Sequence, residues 1–343
     1  MITLAEIVTT EADKTWNRDV IVPASALMFK TVFDEELRLK VNTERATEIS
    51  ETGFIEYPTM NLAPNDWALR QIGNKLGITP KAIMSLLQSD PDTLTRSLNY
   101  LLSDSIEGGK EFLIRIGKNH QLRAFLSEDY ARVANADVAS HLSKAVRRGE
   151  VDCKTVKTYR SDDNGDFFTV RLVGNVKLDV PDIYGSTIYF GISVTNSETG
   201  MSRLKVCPFY HRQQCGNDTT FIGKFSSVHR GDDMSKVFIE KAVLEAVKKI
   251  DTMVDLVKRI SKVSILDIPA EIRKIAASFS LGRSYVPRIQ EAFEAYPVKT
   301  LLGLSQAISA VAQSEKTERA RAKLEDIAGS VADRWHPKKG GKL

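Results

Sequence analysis

The sequence predicts an α+β protein: a mostly antiparallel central sheet with interleaved helices, followed by a helical C-terminal half. Three observations carry that class. The middle of the chain shows period-two alternation, as in Glu111–Ile116 with Phe112, Ile114 and Ile116 on one side. Turn signals punctuate it, the strongest being Asp162-Asp163-Asn164-Gly165. From residue 235 onward the apolar spacing changes to three and four, the helical period.

Taken in order, residues 1–60 hold six basic and eleven acidic side chains, net −5, so residues 61–343 sum to +9 of the total +4. They are read as an acidic, loosely structured N-terminal arm. Residues 61–234 are read as the α+β core. Pro64-Asn65-Asp66 opens a helix through Trp67, Ile72 and Leu76. Gly77 and Pro80 then mark a stop and a start, and Asp90-Pro91 opens a third helix. A hairpin follows, with Gly117-Lys118-Asn119-His120 turning Glu111–Ile116 into Leu122–Leu126. Asp137–Arg148 reads as a short amphipathic helix. Val151–Tyr159, Phe167–Leu178, Ser186–Val194 and Arg203–Pro208 read as strands.

Residues 235–334 read as a helical region, ending in a basic flexible tail over 335–343. Ile239, Val243, Ala246, Ile250, Met253, Val257 and Ile260 are spaced 4-3-4-3-4-3. Such a stripe packs a helix on a sheet, or forms a seam for self-association. The longest charge-free runs are fifteen residues, Ile183–Ser197 and Thr300–Ser314. Both fall short of the about twenty apolar residues of a membrane span. With three cysteines and no basic N-terminal region, a cytoplasmic protein without a disulfide framework is expected.

Motif tests exclude several chemistries. Gly216 and Gly223-Lys224 have six residues between them rather than four, and Phe225 stands where a phosphate loop needs Ser or Thr. No nucleophile elbow occurs, and no cofactor or catalytic residue is nominated. Cys207, His211 and Cys215 are zinc-type ligands. On a helix, however, residues 207 and 215 would lie about 12 Å apart, so incidental cysteines are the preferred reading. Asp162, Asn164 and Asp166 imitate the start of a calcium loop that Phe167 and Val173 then break.

Basic clustering is the remaining signal. Residues 201–230 carry Arg203, Lys205, Arg212, Lys224 and Arg230 against Asp218, net +4. Residues 144–160 also reach +4, with Arg147 and Arg148 among them, and the hairpin adds Arg115 and Arg123. Cations neutralise phosphates and aromatic rings stack on unpaired bases. Arg203, Lys205 and Arg212, then Arg115, Arg123, Arg147 and Arg148, are therefore the candidate phosphate contacts. Tyr210 is a candidate stacker, and Phe209 is read as core at least as readily. Asn196, Ser197 and Glu198 are read as a polar turn that positions the next strand.

Several segments then show a resemblance. Leu69-Arg70-Gln71-Ile72-Gly73, Leu76-Gly77-Ile78-Thr79-Pro80, Arg123-Ala124-Phe125-Leu126-Ser127-Glu128-Asp129-Tyr130, Asn196-Ser197-Glu198-Thr199-Gly200 and Pro208-Phe209 occur in order. Together with Arg212, Cys215 and Thr300–Ile308 they resemble a phage- and plasmid-borne family, domain of unknown function 932, over roughly residues 65–335. The chain departs from it at Cys215-Gly216-Asn217-Asp218, where the family usually has Cys-Thr-Asn-Gly. The resemblance implies a mobile-element origin and, more loosely, similarity to phage single-strand annealing recombinases. The expected function is single-stranded DNA binding by an oligomeric, strand-annealing protein of recombination or replication. The alternative is a non-catalytic host-interaction or anti-defence protein with a host or phage protein as partner.

Overall fold

The computed structural model describes residues 2–14, 18–32, 36–49, 58–131, 133–149, 151–152, 155–162, 166–180, 186–212, 218–220, 226–227, 236–295 and 297–333. The α+β class holds, but the strands form two sheets rather than one.

Sheet one contains seven strands in the order β2-β3-β5-β7-β6-β1-β4. These are β1 (Arg18–Pro23), β2 (Leu27–Thr31), β3 (Leu37–Asn42), β4 (Glu48–Ile49), β5 (Thr59–Pro64), β6 (Glu111–Ile116) and β7 (Gln121–Ser127). The reading of residues 1–60 as a loose arm is thereby corrected. Leu37, Leu39 and Val41 alternate into the core, and β1 pairs with β6 across six residues from Arg18↔Ile116 to Pro23↔Glu111. A segment with Val20, Val22, Leu39 and Val41 fully buried is part of the sheet.

Helices α2 (Asp66–Leu76), α3 (Pro80–Ser89) and α4 (Pro91–Glu107) begin where the start signals place them. Asn65, Thr79 and Asp90 each accept a backbone N–H as N-caps, and Gly77 at φ +85° ends α2. Ile72, Ile83, Leu94 and Leu98 pack with Ile114 and Phe125 from one face of the sheet. The opposite face carries Ile21, Leu113, Ala124 and Leu126, with Asp19 on β1 paired in register to Arg115.

Sheet two runs β12-β11-β10-β9-β8, from β8 (Thr155–Ser161), β9 (Phe168–Val180), β10 (Ser186–Asn196), β11 (Leu204–Arg212) and β12 (Asp218–Thr220), with β13 (Ser226–Ser227) also on β11. Ile188, Phe190, Ile192, Val194, Val206 and Tyr210 share a core with α1 (Leu4–Lys14), α5 (Asn135–Arg147), α6 (Lys236–Lys248) and α7 (Ile250–Ile260). The same core takes in α8 (Ile268–Ser278), α9 (Tyr285–Ala295), α10 (Leu301–Gln313) and α11 (Glu318–Asp333).

All seven residues of the 4-3 stripe are buried in that core. The stripe is a packing face within the chain and offers no free seam for self-association. The helix it occupies is also interrupted, because Lys249 N–H bonds Ala246 O, three residues back, between α6 and α7. Among the described residues no helix is long and apolar enough to cross a membrane. The turn at 163–165, Cys215, Lys224, Arg230 and the tail 335–343 lie outside the described residues.

Candidate functional site

Four of the eight nominated contact residues are buried and cannot reach a nucleic acid: Arg115, Arg123, Arg212 and Tyr210. Arg115 points from β6 onto the face that meets the second sheet. Its Nε and Nη2 donate to the two Asp19 carboxylate oxygens at 2.8 and 2.6 Å, and Nη1 donates to Glu198 O. Burial works against this charge, but Asp19 beside it more than compensates and raises the guanidinium pKa. Arg123 occupies an irregularity in the β6–β7 register, where the pairing steps from Arg115↔Ala124 to Ile116↔Leu122. Its side chain crosses Gly117, where any Cβ would meet Arg123 Cδ at 2.5 Å.

Arg123 Nη2 reaches Asp166 Oδ1 at 2.9 Å. Here desolvation outweighs attraction on both partners: the arginine is lowered and Asp166 is pushed up to about 6. Tyr210 is a core residue, its hydroxyl accepting from Gln306 Nε2 at 2.8 Å and its ring edge-on to Phe190. Phe209 is fully buried beside it.

The other four nominated residues separate into two places. Arg147 and Arg148 are exposed at the end of α5, with Arg148 3.6 Å from Glu240. Arg203 and Lys205 instead line a cleft of about 970 Å³, so only this pair is brought together.

The cleft stands beside a buried polar junction between the sheets, built on the turn after β10. Asn196, Ser197, Glu198 and Thr199 are all buried. Thr199 O accepts from Gln71 Nε2 at 2.8 Å and from Trp67 Nε1 at 2.9 Å. Glu198 Oε1 accepts from Asn135 N at 2.9 Å, and Ser197 O from the Tyr130 hydroxyl at 3.1 Å. Gln71 Oε1 in turn accepts from Phe125 N at 2.9 Å. The segments 69–73, 123–130 and 196–200, separate in sequence, therefore meet at one place. Buried polar groups need such partners, and this turn supplies them to both sheets. It also fixes the Trp67 ring at the cleft and aims Met201, Ser202 and Arg203 into it.

The start of α2, the start of β11 and one face of α11 line most of the cleft, with Asp162 and Phe167 between β8 and β9 and Phe279 after α8 completing it. Arg70, Arg203, Arg319 and Lys323 are exposed and line it. Among the described residues none of these four forms an ion pair, and Arg319 lies over the Trp67 ring, 5.5 Å from its centroid. Lys205 Nζ donates to Asp326 Oδ2 at 2.6 Å. Phe167, Phe279, Met201 and Cys207 supply apolar surface.

Helix α11 is held in place from below. Glu325 receives the buried Arg171 guanidinium through both carboxylate oxygens and has Arg160 at 3.6 Å. Arg171 also lies over Phe209, 5.7 Å from the ring centroid.

Sequence reasoning missed Trp67, Arg70, Arg319 and Lys323 as cleft residues. Trp67 reads only as part of a helix start and Arg70 only within the segment Leu69–Gly73 that carries the resemblance, and nothing local brings α11 to them. Among the described residues no group of three His, Cys, Asp or Glu side chains is placed to hold a metal ion. Cys207 and His211 lie buried on one strand. No family model, curated protein or solved structure matches the chain.

Proposed function

We propose that the cleft binds a single strand of nucleic acid through its phosphates. One observation carries this reading: Arg70, Arg203 and Lys323 converge on one concave surface and form no ion pair among the described residues, while Asp66, Asp162, Glu318 and Asp326 share its lining. Elsewhere, Arg115, Arg123 and Arg171 are neutralised internally. Unpaired cations in a cleft are a stored demand for anions. The Trp67 and Phe279 rings on the same lining favour unpaired bases, which have free faces to stack. The cleft volume lies at the upper end of the about 300–1,000 Å³ usual for ligand sites.

The resemblance to the phage and plasmid family would place such binding in replication or recombination of a mobile element. An annealing oligomer draws no support from the 4-3 stripe, which is buried within the chain. Binding of one strand is therefore the part of that reading we retain.

The test is fluorescence anisotropy of a labelled ~20-mer single strand at about 50 mM salt. Replacing Arg203 and Lys323 together with alanine is expected to weaken binding at least about tenfold, evenly across sequences, because phosphate contacts carry no base information. Undiminished affinity in a folded double variant would refute the assignment.

A further inference from the structure

Helix α11 places a carboxylate on the cleft wall. The Asp326 carboxylate holds Lys205 Nζ at 2.6 Å on the cleft wall, with the two side chains 31% and 27% exposed. The helix has a second anchor, and it is buried. One residue earlier, Glu325 is buried against Arg171, with side-chain exposures of only 4% and 2%. A partly exposed, single-contact pair beside that buried one is the weaker of the two and the easier to exchange.

We infer that Asp326 is a built-in competitor for Lys205, so that a strand enters by exchanging carboxylate for phosphodiester. The inference rests on the cleft being the nucleic-acid site. In the empty cleft Arg70, Arg203 and Lys323 receive the strand, and Lys205 joins them only once Asp326 has released it. The released carboxylate then faces the bound phosphate, opposes it, and takes up a cation from solution. Asp326 thus weakens binding and flattens its salt dependence, biasing the cleft toward strands long enough to engage the other cations first.

The experiment measures anisotropy of the labelled ~20-mer across salt for the full chain and for Asp326→Asn, with urea unfolding to confirm the fold. Asp326→Ser serves as a second variant should the amide disturb α11. Asp255→Asn is the charge control, since Asp255 lies on α7, outside the cleft lining, and is 73% exposed.

Asp326→Asn is expected to bind roughly 3- to 10-fold tighter. Its log–log salt slope should steepen by up to about 0.7, the counterion that Asp326 no longer takes up. Lys205→Met should cost more affinity in the Asp326→Asn background than in the natural one. Unchanged or weaker binding by both Asp326 variants, or an equal gain in Asp255→Asn, overturns the inference. If Arg203→Ala with Lys323→Ala still weakens binding at least about tenfold in that case, the cleft reading stands without it. If that double variant also binds normally, both fall.

Discussion

Arg115 and Arg203 carry the same guanidinium, and their surroundings give it opposite uses. Arg115 is 4% exposed and faces Asp19 in register across β1–β6, so its charge is spent inside the molecule. Arg203 is exposed at the mouth of β11. Sequence spacing could place Arg115 on a strand face. It could not show that the face is covered by residues 196–200, some eighty positions later. The neighbouring pair, Arg123 with Asp166, yields a pH prediction. Burial raises the Asp166 pKa from 3.8 to about 6, so the folded state binds its proton more tightly than the unfolded chain does. Its contribution is fully present below about pH 4 and is lost as pH rises through 6. Relative to Asp166→Asn, the natural chain should gain stability on acidification from pH 7.5 to 4.5, by at most about 2 kcal/mol. Urea unfolding at the two pH values checks this, and a constant gap between the two proteins would contradict it.

At the scale of elements, legibility followed how local the determining contacts are. The starts of α2, α3 and α4 were readable because Asn65, Thr79 and Asp90 cap their own helices within three residues. The hairpin β6–β7 was readable for the same reason, its partners being separated by one turn. Strands β1–β4 were not recognised, although Leu37, Leu39 and Val41 alternate cleanly. β1 finds its partner β6 about ninety residues away, and a surplus of acidic side chains masked the pattern. The 4-3 stripe on α6 and α7 was visible, but period alone does not distinguish a sheet-packing face from an intermolecular seam. A chain beginning at residue 61 tests this part of the account. It would lack β1–β4 and the buried Val20, Val22, Phe29, Leu39 and Val41, so it is expected to show no cooperative urea transition. Native-like unfolding of that chain would restore the reading of a dispensable arm.

Over the whole molecule, one ion pair joins the −5 of residues 1–60 to the +9 of the remainder, and others lie within the remainder. Asp19 meets Arg115, Asp166 meets Arg123, Glu325 meets Arg171, and Asp326 meets Lys205. Local net charge therefore overstated the available cations in the middle of the chain. Those facing the cleft with neither a carboxylate nor a ring partner among the described residues are Arg70, Arg203 and Lys323. The central claim is that these three, rather than the buried arginines, meet the strand's phosphates. Each phosphate contact on a single strand contributes about 0.7 to the slope of log affinity against log salt. The decisive measurement is that slope for the natural chain and for the variant with Arg70, Arg203 and Lys323 all replaced by alanine. The account predicts a slope shallower by about 2 in the folded triple variant. An equal slope in both proteins, or no binding by the natural chain at about 50 mM salt, would contradict it.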